Sequence, residues 1–375
     1  MKNFKVDFIN SSYRRYYQSH KDEIDYSLQK CLSTGQLTLR KDLWDLEKRF
    51  AKYIGTKYAA GVNSGTDALF LSLLALGVGP GDEVITVSNT FIATIQAIIH
   101  TGATPILIDV GEDEQMNVDL LEGAITSKTK AIVPVHYTGS MCDMDRITDI
   151  ASEKGIFVVE DACQAVGATQ GGIKAGAFGH LGCFSFNTAK LMGGLCDGGM
   201  VTTNSRELYE KICLLRNHWN VHQLSVDRND YPQPEEMQWA WKSRLSNLNA
   251  AFLNIKFKYL KQLLNARKDI ANIYLYRLAD TPLILPHDSP GRVWQEFHIR
   301  VKNRAEFAAY LTKKCVETLT RDTIPNHRMK GLNLSHFDLL VTDTMAAEIT
   351  RLPLYPEMHI SEVDYVIKTI HGFFK

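Results

Sequence analysis

The sequence predicts an α/β protein. A large domain with a mostly parallel central sheet, covered by helices on both faces, precedes a smaller C-terminal α/β domain. Three observations predict this. Short apolar runs of strand length alternate with helical apolar spacing from Tyr58 to Glu160. The first unit of that alternation, 58–87, reads strand, glycine turn, helix, strand, which is a βαβ unit. After Val201 the pattern turns helical and returns to a single short strand among helices.

Residues 1–20 are polar and aromatic and follow no clear period. Ile24, Leu28 and Cys31 have helical spacing, and Leu43, Leu46, Phe50 and Ile54 repeat it, with Asp42 as the expected cap. Tyr58–Val62 reads as a strand, 63–66 as a turn, Asp67–Leu76 as a buried helix stopped by Gly77 and Pro80-Gly81, and Glu83–Val87 as a strand. The alternation continues with a helix over 91–100, a strand over 105–110, a helix over 116–125 and a strand over 131–135. A helix over 145–154 and a buried strand over 156–160, ending at Asp161, complete it. Cys183–Phe186 reads as the end of another strand. Leu208–Leu215 is a helix, Val226–Glu236 a long irregular loop, and Ser246–Arg267 a long helix leading into the second domain. A strand at 297–301 and helices at 304–314 and 361–373 form that domain. The division is 1–250 and 251–375.

Three places on this framework carry chemistry. Ser64-Gly65-Thr66 opens a helix, where free backbone N–H groups and the helix dipole favour an anion and the hydroxyls add donors. The plain alternative there is an N-cap by Asn63 or Ser64. Asp161 ends a buried strand. Lys190 lies between an apolar strand and the glycines 193–194 and 198–199, a setting that lowers an amine's pKa and makes it a nucleophile; a surface lysine on a glycine-rich loop is the alternative. All three fall at strand carboxyl ends, where open α/β sheets bind ligands. Together they fit pyridoxal 5′-phosphate: an anion cradle for its phosphate, an amine for its aldehyde, and a carboxylate that keeps its ring nitrogen protonated.

The residues SGTDAL at 64–69, GPGDEVITV at 79–87, TFIAT at 90–94 and VEDACQAVGA at 159–168 point further, with GCFSF…K at 182–190, DGG at 197–199 and LPLYP at 352–356. In these stretches the chain resembles, nearly end to end, the DegT/DnrJ/EryC1/StrS family of pyridoxal-phosphate-dependent sugar aminotransferases, in the aspartate aminotransferase type I fold. The resemblance implies that Lys190 bonds the cofactor and moves the proton, and that Asp161 pairs with the ring nitrogen. It implies Gln164 near the ring oxygen, Ser185 with Gly65 and Thr66 at the phosphate, and Phe91 stacked on the ring. A subset of the family has histidine at the lysine position and dehydrates instead, so lysine favours amino transfer.

The chain departs from the family pattern at Leu191, at His218-Trp219, at Lys242-Ser243-Arg244 and at Arg321-Asp322-Thr323. Lys242 stands where the family has an asparagine that reaches the phosphate of the partner subunit, a role the lysine is expected to take over. The other changes cluster where the substrate is expected.

The resemblance implies a nucleotide-linked keto-sugar acceptor, aminated at C3 or C4, an L-glutamate donor and a homodimer with shared sites. A keto-cyclitol or other keto-polyol acceptor is the alternative, and a non-catalytic cofactor-binding regulator a further one. Composition bounds the rest. Lys plus Arg equals Asp plus Glu at 42 each, which gives no general attraction to nucleic acid or anionic membrane. Seven scattered cysteines without a C-x-x-C pair suggest reduced thiols in a cytoplasm, with Cys163 and Cys183 as apolar packing. The N-terminus lacks an export core, no apolar run reaches the ~18 residues of a membrane span, and no metal site is assigned.

Overall fold

Three helices lead the chain: α1 (Asn10–Ser19), α2 (Lys21–Ser33) and α3 (Lys41–Ile54). The computed structural model describes residues 4–7, 10–219, 237–320 and 323–375. The expected loop at 226–236 and the positions Arg321 and Asp322 lie outside the described residues. Next come β1 (Tyr58–Val62), α4 (Gly65–Ala75), β2 (Glu83–Val87), α5 (Ala93–His100), β3 (Thr104–Ile108), α6 (Leu121–Ala124), β4 (Thr129–Ile132), α7 (Met144–Lys154) and β5 (Phe157–Asp161). A hairpin of β6 (Thr169–Gln170) and β7 (Ile173–Lys174) precedes β8 (Leu181–Ser185), β9 (Gly199–Thr203) and α8 (Arg206–Leu215). The chain closes with α9 (Asn247–Arg277), β10 (Phe297–Arg300), α10 (Arg304–Lys313), α11 (Leu340–Glu348), β11 (Ile349–Leu352) and α12 (Ile360–Phe373).

The central sheet has seven strands in the order β1-β9-β8-β5-β4-β2-β3. β9 pairs antiparallel with both β1 and β8, while the pairs from β8 to β3 are parallel, so β9 alone is reversed. The carboxyl ends of the other six therefore share one edge, and β9 begins on it. Buried apolar residues cover both faces of the sheet, as a near-continuous apolar strand pattern requires. The small domain has its own core around β10, β11 and α12, which Val6 joins through a bridge to Val316. α9 belongs to both cores, through Leu253 and Leu260 on one side and Ile270 and Tyr274 on the other.

Several expectations change. Part of the unassigned N-terminus is α1. The helix expected over 116–125 is a 3₁₀ turn at Val118–Leu120 and the short α6, because Met116 is held in a bridge to Val110 and Asn117 starts the turn. Asp42 does not cap α3. Its carboxylate accepts from Asn247 Nδ2 at 2.8 Å, while Asn247 Oδ1 accepts from Leu43 N–H at 3.0 Å, so a side chain of α9 caps α3. α9 runs ten residues beyond Arg267, to Arg277.

Candidate active site

Ser64 caps α4, its hydroxyl accepting from Asp67 N–H at 3.0 Å, so the N-cap reading holds. The backbone there is packed as only glycine permits. A Cβ on Gly65 would lie 2.8 Å from Ser185 Cβ and 2.9 Å from Cys163 Sγ; one on Gly199 would lie 2.3 Å from Ser64 O. Gly65, Ser185 and the start of β9 thus converge on one point, a cradle of hydroxyls and N–H groups at a helix N-terminus. Thr66 is the next residue of that turn and is half-buried.

Asp161 ends β5 and is buried. Thr94 of α5 donates to its Oδ2 at 2.7 Å, and Cys163 N–H to its Oδ1 at 3.2 Å. Thr94 Oγ1 also lies 3.2 Å from the carbonyl oxygen of Phe91. Phe91 is 61% exposed, a large apolar side chain left in water while its backbone carbonyl lies beside Thr94. The Cys163 thiol feels both charges, Asp161 raising its pKa and Lys190 lowering it. Burial and the Asp161 charge push its thiol well up, so it stays protonated and packs. Gln164 is buried, its amide oxygen accepting from Thr138 N–H at 3.0 Å, which turns its amide nitrogen the other way.

Lys190 follows β8 on a tight turn in which Lys190 N–H donates to Asn187 O at 2.9 Å and Gly193 N–H to Lys190 O at 2.8 Å. Gln295, just before β10, grips this turn from the small domain. Its Oε1 accepts from Leu191 N–H at 2.9 Å and its Nε2 donates to Ala189 O at 3.0 Å. The next residue, Glu296, is bound by His298 Nε2 at 3.0 Å and Arg351 Nη1 at 3.0 Å, and His298 Nδ1 meets Glu114 at 2.9 Å. Burial disfavours the charged form of Glu296, but the His298 bond, with Arg351 and Lys190 nearby, brings its carboxyl down to about 2. Lys190 and Glu296 line one cavity of about 1300 Å³, walled also by α1, α9 and residues 354–357.

Eight of the nine expected residues therefore gather at the sheet's carboxyl edge. The ninth, Lys242, is exposed and bridges Asn217. Its neighbour Ser243 accepts from Asn63 N–H at 3.1 Å and donates to Asp67 at 2.7 Å, which seats this segment beside the start of α4. Sequence reading missed Thr94, Gln295 and Glu296. Thr94 lay inside a quoted motif, while the other two carried no local signal.

The donor set fits pyridoxal phosphate: a cradle too tight for a Cβ, a buried carboxylate with a fixed orientation, an uncovered aromatic face and an amine opening into a cavity. Such a site on such a sheet defines a pyridoxal-phosphate enzyme of the aminotransferase kind. Residues 18–371 match the DegT/DnrJ/EryC1/StrS aminotransferase family, and the chain belongs to it. It is 36% identical over 365 residues to the dTDP-3-amino-3,6-dideoxy-alpha-D-galactopyranose transaminase of Aneurinibacillus thermoaerophilus, covering 96% of this chain and 98% of that one. The crystal structure of Streptomyces venezuelae DesV in complex with a ketimine intermediate superposes with a TM-score of 0.90 at 34% identity, covering 98% of each chain. NtdA of Bacillus subtilis, solved with bound PMP cofactor, superposes with a TM-score of 0.87 at 31% identity, covering 94% of this chain and 82% of that one. No helix among the described residues is long and apolar enough to cross a membrane.

Proposed function

We propose that the protein transfers an amino group from L-glutamate to a nucleotide-linked keto-sugar, at carbon 3, as a cytoplasmic homodimer. The observation that carries this is Lys190, which lines the wide cavity together with Glu296 and, like Asp161, acts on the charge of the Cys163 thiol. The cavity's volume suits a substrate larger than an amino acid. The transaminases of Aneurinibacillus thermoaerophilus and Acidithiobacillus ferrooxidans are named for amination at carbon 3, on a dTDP-linked and a UDP-linked sugar, which supports that position here.

In this reading Ser64, Gly65, Thr66 and Ser185 hold the cofactor's phosphate, Phe91 covers its ring, and Gln164 offers its amide nitrogen to the ring oxygen. Asp161 keeps the ring nitrogen protonated, and bound there the cofactor supplies an electron sink. Lys190 would hold the cofactor through its amine and move a proton to and from the carbon that gains or loses nitrogen. The two half-reactions share one site, so the kinetics are ping-pong.

The test is a paired assay. Purified protein is yellow, bleaches with L-glutamate, and recovers its colour with a 3-keto nucleotide sugar as an amino-sugar forms. Conversion of a free keto-polyol in preference to the nucleotide-linked sugar overturns the substrate assignment. Bleaching by Lys190→Ala protein, or cofactor trapped by hydride on another residue, overturns the role of Lys190.

A further inference from the structure

Thr94 holds Asp161, and Thr94 is itself held. Thr90 Oγ1 lies 2.7 Å from Thr94 Oγ1, and both side chains are buried. An ionised carboxylate only accepts, so the Thr94 proton goes to Asp161 and the Thr90 hydroxyl donates to Thr94. Two hydroxyls in series thus end on the buried carboxylate. Thr90 stands in the short connection 88–92 between β2 and α5, which also carries Phe91.

A residue more than two hundred positions away pins that connection. Asn326, in the segment between α10 and α11, is buried. Its Nδ2 donates to Ser88 O at 2.9 Å and to Thr90 O at 2.7 Å. Only the nitrogen end of an amide can face two carbonyls, which fixes the orientation of this one. His327 adds a second hold on Ser88. Its Nδ1 meets Ser88 Oγ at 2.8 Å, and its backbone N–H donates to the same oxygen at 3.1 Å. The segment is seated by its own apolar residues, Leu334 and Leu339, which cluster with Ile95 of α5 and Leu107 of β3.

We propose that Asn326 is a positioning residue for the reaction: it fixes the backbone of 88–91, so that Thr90 and Thr94 aim the Asp161 carboxylate in one direction. The consequence for catalysis rests on the function proposed above; the clamp itself rests on these hydrogen bonds. Asn326 touches none of the reacting atoms and acts only through the chain it holds. A buried carbonyl that loses its donor is costly, and Asn326 serves two of them.

Asn326→Leu keeps the bulk and removes both bonds, and Thr90→Val removes one hydroxyl and keeps the shape. Hydrogen exchange on the full chain, with and without pyridoxal phosphate, reads the clamp directly. In Asn326→Leu, exchange over 88–96 rises about tenfold while the rest of the chain is unchanged. In the cofactor-loaded enzyme both variants lose about tenfold in kcat with little change in KM, and the cofactor's absorption maximum shifts. Thr90→Ser restores both readings. Should Asn326→Leu fail to fold, Asn326→Ala, which adds no bulk, is read the same way. Unchanged exchange over 88–96 overturns the proposal. So does a loss of activity that only follows a lowered unfolding midpoint, with an unshifted spectrum. If wild type binds no pyridoxal phosphate, the function falls and raised exchange still upholds the clamp; transamination with unchanged exchange in the variants keeps the function and removes the clamp.

Discussion

Thr94 Oγ1 donates to Asp161 Oδ2 at 2.7 Å, across 67 residues of sequence. The bond joins the first turns of α5 to the end of β5. With Cys163 N–H on the other oxygen, it fixes the plane of a buried carboxylate. A hydrogen bond to a charged group is worth roughly 1.5–3 kcal/mol. Thr94→Val keeps the shape and removes the donor. We expect kcat to fall about tenfold with little change in KM, and Thr94→Ser to restore it. Asp161→Asn removes the charge and is expected to cost ~10²–10³-fold in kcat, the range typical of a lost electrostatic stabiliser. Steady-state kinetics, with the cofactor's absorption maximum as a second readout, check both. A Thr94→Val enzyme with wild-type kcat and an unshifted spectrum contradicts the positioning role.

Gln295 bonds the backbone on both sides of Lys190, so the small domain holds the turn that carries this lysine. Gln295→Ala leaves one buried N–H and one carbonyl without that partner, a loss of about 1–3 kcal/mol for each group left unsatisfied. We expect kcat to drop ~10–100-fold, a misplacement effect, while hydride trapping still labels Lys190. A purely structural role would lower the unfolding midpoint and leave kcat of the folded fraction intact, so the two measurements together decide.

How far the sequence could be read follows the distance between partners. Lys190, Asp161 and the Ser64 turn were legible because each sits at the end of a strand whose apolar run marks it, and a parallel sheet brings strand ends together. The parallel core was legible for the same reason. Thr94, Gln295 and Lys256 act through partners 67, 104 and 63 residues away, and no local period encodes such a pairing. The expected Asp42 cap failed on the same ground, since Asn247 reached the helix start first. The reversed β9 was hidden because a buried antiparallel strand has the same apolar run as a parallel one.

Lys256 makes a stability prediction with a definite sign. Burial pushes its pKa from 10.5 down to about 8, with Glu357 acting to raise it and Arg267 to lower it. The flanking Tyr13 and Tyr16 are pushed upward by burial and do not titrate in this window. Below pH 8 the lysine is protonated folded and unfolded, and the whole burial penalty applies. Between 8 and 10.5 the unfolded chain binds the extra proton, so this group's contribution makes stability rise with pH. At ~1.4 kcal/mol per unit the penalty is about 3 kcal/mol. Lys256→Met should therefore be more stable than wild type at pH 7, by ~2 kcal/mol once the lost Gly193 bond is counted. The gain should shrink toward pH 10.5. Urea unfolding at the two pH values measures it, and a gain that grows with pH refutes the assignment.

Lys242 completes the set. It is exposed, yet Ser243 ties its segment to Asn63 and Asp67 at the start of α4. Nearby, Trp239 is 95% and Met237 72% exposed. Large apolar side chains left in water beside a lysine mark a surface for a partner, and a second copy of the chain is the partner proposed here. In such a dimer Lys242 would supply a full charge to the partner's phosphate cradle, the role proposed for it. We expect Lys242→Ala to weaken cofactor binding about tenfold, in line with a charge-assisted bond of ~1.4 kcal/mol or more, and Trp239→Ser to shift the particle toward one chain in light scattering. Absorbance titration of cofactor into the apoprotein gives the affinity. If Lys242→Ala binds as wild type while the particle remains a dimer, the lysine does not reach across, and the phosphate is held by the α4 turn and Ser185 alone.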